Sequence, residues 1–228
     1  PFFENTLGSV MRTGVTLHAK APGTQSKYGF ERFGKAEFAM ATNSVAECVK
    51  GAKQIIIGTP SIAHEVFFKE LIPCLEDGQI IQIIPDNYGS LKLRKMMRDM
   101  GCEKDVIIGG WSSAPYGTRV DTEGGVMNAH CSLVYRAITL RGAALPMTDQ
   151  DDFLESTKAL GCFDTITEGA GVVGGNTVLD IGFANGNPVI HVPGTLLGVS
   201  TMENFSTVLH MSKNQYSIYS HSFCPSIS

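Results

Sequence analysis

One histidine lies in a segment whose composition suits acid–base chemistry. His191 stands in an apolar run, with the amides of Asn185 and Asn187 just before it and a proline on each side. Imidazole is the only side chain whose unperturbed pKa lies between pH 5 and 8, so it can exchange a proton with a carbonyl or hydroxyl group near neutral pH. A histidine in an apolar run is also found as a packed core residue. The residues alone therefore leave both interpretations open.

Two turns with ligand-binding potential each follow an apolar run. Gly58-Thr59-Pro60 ends the run 54–57, and Pro85-Asp86-Asn87 ends the run 79–84. Open α/β sheets bind ligands at the carboxyl ends of their parallel strands, which lie on one edge. We therefore expect both turns on the same sheet edge, although Pro, Asp, Asn and Gly are also the residues of ordinary turns.

The elements that must position these turns alternate between short apolar strands and amphipathic helices. The predicted strands cover 54–57, 79–84 and 105–108. The predicted helices cover 44–50, 61–73 and 90–100, with Ser44 and Ser61 as candidate N-caps. This alternation predicts parallel β-α-β units, hence an α/β fold. Farther along, 119–126 and 129–140 are predicted to be antiparallel strands or a hairpin, and 148–160 a helix.

A glycine-rich stretch divides the sequence. Residues 169–174 read Gly-Ala-Gly-Val-Val-Gly, which matches the dinucleotide fingerprint G-x-G-x-x-G. That fingerprint requires a buried strand before it and an acidic residue about 20 positions later. Residues 163–167 make a poor strand, and 193–195 contain no acid. We therefore interpret the stretch as an interdomain loop, with a boundary near residue 170 and a helical pattern from residue 177 onward.

Composition and charge exclude several classes of function. The 228 residues carry a net charge of −4, which argues against nucleic-acid binding. No apolar run reaches the roughly 18 residues of a membrane span. The six cysteines are scattered without a Cys-x-x-Cys pair, so we expect free thiols in the reducing cytoplasm. No spacing resembles a metal site.

The segment Asn185-x-Asn187-Pro-Val-Ile-His191 resembles the sequence that opens the helical domain of octopine and other opine dehydrogenases. Residues 58–65 are similar to the segment that lies along the dinucleotide in that family, and 113–119 to its Leu-Pro-x-x-x-Arg segment. The resemblance implies a partial Rossmann-type parallel sheet over 1–170, followed by the start of an all-helical domain over 171–228. It also implies that the first strand, its glycine turn and the second strand precede Pro1, so that this fragment alone is expected to be inactive.

The same resemblance implies an NAD(P)H-dependent reductive condensation of an α-keto acid, usually pyruvate, with an amino acid. His191 would be the catalytic acid/base, and His64 would pack its helix. The residues implied to bind NAD or NADP are Gly58, Thr59, Pro60 and Pro85. The residues implied to meet the substrates are Asn87, Thr118 and Asn187, and the resemblance places the Asn87 amide at the amino-acid substrate or at the nicotinamide end.

The resemblance leaves the amino-acid substrate and the type of function open. Thr118 stands where some relatives have cysteine, so the amino-acid substrate is not carried over. Two other functions remain, a different two-domain NAD(P)-dependent hydroxy-acid dehydrogenase and a non-catalytic dinucleotide-fold binding module. We expect small-molecule partners only, with neither nucleic acid nor membrane, and the sequence does not define an oligomeric state.

Overall fold

The structure is a computed structural model that describes residues 14–19, 33–120, 130–137, 139–160 and 171–186. The chain forms two compact units, Pro1–Ala184 and Asn185–Ser228. All helices and strands given below belong to the first unit. Two predicted site residues, Asn187 and His191, lie outside the described residues.

Nine strands and five helices follow one another along the described chain. The strands are β1 (Val15–Ala19), β2 (Phe33–Ala36), β3 (Gln54–Ile57), β4 (Ile80–Ile83), β5 (Ile107–Trp111), β6 (Tyr116–Val120), β7 (His130–Arg136), β8 (Thr139–Leu145) and β9 (Gly171–Gly174). The helices are α1 (Val45–Val49), α2 (His64–Leu71), α3 (Gly89–Asp99), α4 (Gln150–Ser156) and α5 (Val178–Phe183). Single 3₁₀ turns flank α2 and α4 on both sides.

The strands form a five-stranded sheet, in the order β3-β4-β5-β8-β9, and a four-stranded sheet, in the order β2-β1-β7-β6. In the larger sheet β3, β4 and β5 are parallel, and α2 and α3 connect them. This confirms the predicted parallel β-α-β units. β8 runs antiparallel to β5, and β9 runs parallel to β8. The smaller sheet pairs β6 with β7 antiparallel, whereas its other strands, β1 and β2, were not predicted.

The two predicted serine caps have different outcomes. Ser44 caps α1, because its side chain accepts a hydrogen bond from the backbone N–H of Glu47 at 3.3 Å. Ser61 does not cap α2, which begins at His64 after a 3₁₀ turn and has no side-chain cap. The Ser61 hydroxyl instead accepts from the side-chain amide of Asn87 at 2.9 Å. A long-range partner therefore replaces the expected local one.

The single strand predicted over 129–140 is wrong. The structure divides this stretch into β7 and β8, which belong to different sheets. The division falls at Ala137, which is buried and donates its backbone N–H to the carbonyl of Pro115 at 2.8 Å. An apolar pattern reports that a segment is buried, but it carries no information on which sheet the segment joins.

The predicted interdomain loop over the glycine-rich stretch is also corrected. Its last four residues, Gly171–Gly174, form β9 and pair with β8 at the edge of the larger sheet. After it Thr177 caps α5 by accepting from the backbone N–H of Asp180 at 3.1 Å. The first compact unit extends to Ala184, and the domain boundary near residue 170 stays a prediction.

The core occupies both faces of the larger sheet. On one face the apolar side chains of β3, β4 and β5 pack against α1, α2 and α3. On the other face Trp111 packs against Phe153 of α4, with ring centroids 5.3 Å apart. Gln82, in the middle of β4, is fully buried and accepts from the indole N–H of Trp111 at 3.0 Å while donating to the side chain of Gln54 at 2.8 Å. These bonds satisfy the buried amide and tie three adjacent strands together.

Gly109 of β5 faces Phe153 so closely that a β-carbon there would lie 2.3 Å from the phenyl ring. Gly109→Ala should therefore lower the free energy of unfolding by about 2 kcal/mol, because the α4 side chain must shift in a filled core. Denaturant unfolding followed by the fluorescence of Trp111, the single tryptophan, measures this. Gly58→Ala is the matched control, since no atom lies within 4 Å of the place where its β-carbon would stand. Equal stability of the two variants would contradict the packing argument.

Candidate functional site

The two predicted turns lie together at one edge of the larger sheet. β3 and β4 are parallel and in register, with Ile57 opposite Ile83, so their carboxyl ends coincide. The side-chain amide of Asn87, in the second turn, donates to the hydroxyl of Ser61, just after the first turn, at 2.9 Å. The expectation that both turns share an edge is confirmed. We call the segments 58–61 and 85–88 the ligand edge.

The first turn combines an open backbone with an unsatisfied hydroxyl group. Gly58 is exposed, with no atom near the place where a β-carbon would stand. The hydroxyl oxygen of Thr59 is buried and has no hydrogen-bond partner. A buried polar group without a partner costs free energy, so such a group calls for a ligand or a functional explanation. The turn therefore presents both an accessible backbone and a polar atom without a protein partner.

His64 anchors this turn from beneath. Its imidazole is 1% exposed, and Nε2 lies 3.2 Å from the carbonyl oxygen of Thr59. The ring stacks on Phe68 with a centroid distance of 5.2 Å. Position 89 accommodates only glycine beside this ring, because a β-carbon there would lie 2.7 Å from Nδ1 of the imidazole. Burial lowers the pKa of His64, and the positive charge of Lys92 acts in the same direction, against the hydrogen bond to Thr59. A neutral, packed histidine agrees with the expected helix-packing role.

The second turn contains two consecutive non-glycine residues with left-handed backbone. Asn87 has φ 42° and Tyr88 has φ 64°, after a cis peptide bond between Ile84 and Pro85. L-residues reach this region only at a cost of roughly 1–2 kcal/mol each, so such a conformation persists where its surroundings enforce it. Asn87, whose amide contacts Ser61, lies at the apex of the turn.

Asp86 is a residue of the second turn with a buried side chain, and it was not among the predicted site residues. It is fully buried, and its carboxylate accepts from the backbone N–H of Ser90 at 2.8 Å and from the Ser90 hydroxyl at 2.9 Å. Burial raises its pKa, while the hydrogen bonds from Ser90 and the backbone N–H of Tyr88 oppose that rise. The sequence signal for this role was weak, since an aspartate after proline is typical of any turn.

An aromatic contact borders the same turn. The Tyr88 ring meets Phe183 of α5 edge to face, with centroids 6.2 Å apart. Gly182 allows this approach, because a β-carbon there would lie 2.5 Å from the Tyr88 ring. Tyr88 remains 39% exposed and Phe183 81% exposed. The ligand edge is thus flanked by accessible aromatic surface.

The roles of the other predicted site residues stay predictions. Thr118 lies in β6 of the four-stranded sheet, opposite Leu133 of β7. Asn187 and His191 lie outside the described residues, so their roles stay predictions. Within the described ranges there is no group of His, Cys, Asp or Glu side chains that could hold a metal ion. In the same ranges no helix has the length and apolar character needed to cross a membrane.

Solved structures of dehydrogenases share this fold. Octopine dehydrogenase in complex with NADH and L-arginine matches with a TM-score of 0.63 and 16% identity, over 82% of this chain and 43% of that chain. Yersinopine dehydrogenase with bound NADP+ gives a TM-score of 0.60 and 11% identity, over 78% and 40%. D-mandelate dehydrogenase in a ternary complex with NADH and anilino(oxo)acetate gives 0.57 and 12%, over 90% and 60%.

The chain spans less than half the length of the octopine dehydrogenase structures it matches. No protein-family model matches the sequence. No curated protein matches it either. The structural matches establish a shared fold, and this fold agrees with the partial Rossmann-type sheet expected from the sequence.

The buried His64 should make stability depend on pH. The folded pKa lies below the ordinary value of 6.5, so the unfolded chain binds the extra proton first as the pH falls. The stability that neutral His64 contributes is therefore present above pH 6.5 and is lost as the pH falls toward the lowered folded pKa. Between about pH 7.5 and about pH 5.5 the unfolding free energy should fall more steeply for the natural protein than for His64→Gln. Parallel pH profiles for the two proteins would show that His64 does not titrate in this way.

Proposed function

We propose that this chain carries the cofactor-binding sheet of an NAD(P)H-dependent oxidoreductase of the opine dehydrogenase type. The observation that carries the proposal is the ligand edge, where two turns of adjacent parallel strands meet and the Thr59 hydroxyl is buried without a partner. Open α/β sheets bind nucleotides at such an edge. The fold shared with NADH-bound octopine dehydrogenase supports the same assignment.

The residues at the edge fit a dinucleotide. The exposed Gly58 leaves room for a phosphate or ribose to approach the backbone, and the Thr59 hydroxyl would gain the hydrogen bond that it lacks. Pro60 and Pro85 border the same surface. When bound, the nicotinamide supplies hydride. The sequence does not distinguish NAD from NADP.

The substrate side of the proposal rests on the resemblance of the sequence to opine dehydrogenases. An α-keto acid, with pyruvate as the first choice, would condense with the amine of an amino acid and release water. Hydride and a proton would then convert the resulting carbon–nitrogen double bond to a secondary amine. Asn87, Asn187 and Thr118 are the proposed substrate contacts. His191 is proposed to orient the keto acid and to transfer the proton, as a general acid near neutral pH does.

The second unit, Asn185–Ser228, contains both His191 and Asn187, and we assign it to the start of a helical substrate domain. The free thiols of Cys48, Cys74 and Cys102 agree with the reducing cytoplasm as the site of action.

A hydroxy-acid dehydrogenase is the second candidate, favoured by the shared fold with D-mandelate dehydrogenase over 90% of this chain. The two candidate reactions are distinguished by whether cofactor oxidation requires an amine. The full-length protein is incubated with NADH or NADPH and pyruvate or a 2-oxo acid with an aromatic side chain, with and without each common amino acid. Cofactor oxidation is followed by absorbance and the products by mass spectrometry. An amine-dependent secondary-amine product supports the opine reaction, and oxidation without amine supports the alternative. A protein that binds NADH but turns over no pair would be a binding module.

Thr59→Val should weaken NADH binding without destabilising the protein. The substitution keeps the side-chain shape and removes a hydroxyl that has no protein partner, so the melting temperature should stay equal or rise. Loss of one hydrogen bond to the cofactor, worth about 1 kcal/mol, should raise the NADH Kd about fivefold in calorimetric titration.

Thr157→Val is the matched control for that variant. Thr157 is buried, and its hydroxyl, unlike that of Thr59, has a partner, since it donates to the carbonyl of Leu154 at 2.6 Å. This variant should therefore lose stability and keep its NADH affinity. The assignment of the Thr59 hydroxyl to the cofactor would be refuted by an unchanged NADH Kd in Thr59→Val.

His191→Ala in the full-length enzyme should lower turnover by about 100-fold, the usual scale for loss of a general acid/base, with NADH affinity nearly unchanged. If His191 is instead a packed core residue, the variant should lose thermal stability and cofactor affinity together with activity. Steady-state kinetics, NADH titration and a melting curve on the same sample separate the two. A stable variant with the turnover of the natural enzyme would remove His191 from the mechanism.

A further inference from the structure

Asp86 is buried and forms hydrogen bonds through both its carboxylate and its backbone. Its carboxylate is completely buried and accepts from the backbone N–H and the hydroxyl of Ser90 and from the backbone N–H of Tyr88. Its own backbone N–H donates to the carbonyl of Trp111 at 2.8 Å, and its carbonyl accepts from Gly89 at 2.6 Å. The residue therefore joins the end of β4, the first turn of α3 and the end of β5.

The neighbouring strand leaves this carboxylate little freedom to move. A β-carbon on Gly110 of β5 would lie 2.3 Å from the Cβ and Cγ atoms of Asp86. The side chain is therefore confined between β5 and α3, in the one orientation that receives the donors of Ser90 and Tyr88. A rigid acceptor below the turn is the kind of support that a strained backbone requires.

The two residues with left-handed backbone belong to the ligand edge. Asn87 and Tyr88 are left-handed, and Asn87 is exposed at the edge, where its amide meets Ser61. Without the carboxylate, the backbone N–H and the hydroxyl of Ser90 lose the acceptor that ties this turn to α3. The turn would then relax toward ordinary backbone angles and carry the Asn87 amide away from Ser61.

We infer that Asp86 is a positioning residue, which holds the left-handed Asn87–Tyr88 turn so that the Asn87 amide faces the amino-acid substrate. This inference rests on the proposed function, in which Asn87 contacts that substrate. Asp86 itself is buried, so it acts on the substrate only through Asn87.

Substitutions at Asp86 separate positioning from general stability. Asp86→Ala should raise the KM for the amino acid about tenfold, because the turn loses its acceptor, while the NADH Kd changes less than twofold. Asp86→Asn should restore most of the affinity, since an amide oxygen can accept from the Ser90 N–H and its NH2 group can donate to the Ser90 hydroxyl. Ser90→Ala removes only one donor and gives a milder variant should Asp86→Ala fold poorly. The kinetics use pyruvate, NADH and the amino acid that the natural enzyme turns over fastest in the panel.

The decisive measurement is the double variant. If Asp86 acts through Asn87, Asp86→Ala should add little to the KM once Asn87→Ala is present. Full additivity of the two effects would overturn the positioning role while leaving the proposed function intact. If Asn87→Ala leaves the KM unchanged, the inference fails while the proposed reaction stands. If the natural enzyme turns over no keto acid with any amino acid, the proposed function fails and the inference fails with it.

Hydrogen exchange provides a readout that does not depend on turnover. Asp86→Ala should speed amide exchange in peptides covering 85–92 and leave β3 and β4 protected. Asp77→Ala is the matched control, because Asp77 also accepts a backbone N–H, from Asp105 at 2.9 Å, but at the opposite end of the strands. It should change neither the KM nor exchange at 85–92. Exchange that rises evenly across the sheet in Asp86→Ala would show a purely structural role.

Discussion

The parallel pairing of β4 between β3 and β5 is the constraint on which the rest of the first unit depends. All four residues of β4 are buried, so neither face of this strand can be left to solvent. Helices α2 and α3 must therefore return over one face, and α4 must cover the other. Because the three strands run in the same direction, the carboxyl ends of β3 and β4 lie at the same edge of the sheet. The ligand edge is a direct consequence of this pairing.

Close packing then determines which residues can stand around that edge. Glycine occurs at position 89 against His64 and at position 110 against Asp86, where a β-carbon would overlap the neighbouring side chain. Both neighbours are buried polar residues that hold a turn: His64 contacts the first turn from α2, and Asp86 lies within the second and accepts from Ser90 of α3. The exposed groups that a ligand would meet are thus supported by a buried layer that never reaches solvent.

The combination of rigid support and unsatisfied groups is typical of a binding site. A left-handed turn and an unpartnered hydroxyl both cost stability, and proteins keep such features where a ligand recovers the cost. Here the two lie on adjacent turns, which the hydrogen bond between Asn87 and Ser61 joins. This is the physical reason for assigning function to the edge, beyond the fold shared with known dehydrogenases.

The sequence by itself determined the local elements. Isoleucine-rich runs predicted β3 and β4 as strands, the amphipathic spacing predicted α3, and Ser44 marked the start of α1. All of β4 is buried, whereas Ile56 of β3 is 47% exposed. These features depend on residues a few positions apart, so a linear pattern contains them. The shared edge of the two turns also followed, because parallel strands leave no other choice.

Only the tertiary structure decided which partners distant segments find. The stretch 129–140 divides between two sheets, and Gly171–Gly174 becomes an edge strand, because each depends on pairing with strands remote in sequence. Likewise, Asp86 is buried by β5 and α3, and the Thr59 hydroxyl is enclosed without a partner, although both read as ordinary turn residues. Burial and hydrogen-bond satisfaction are properties of the packed chain, and no spacing along the sequence encodes them.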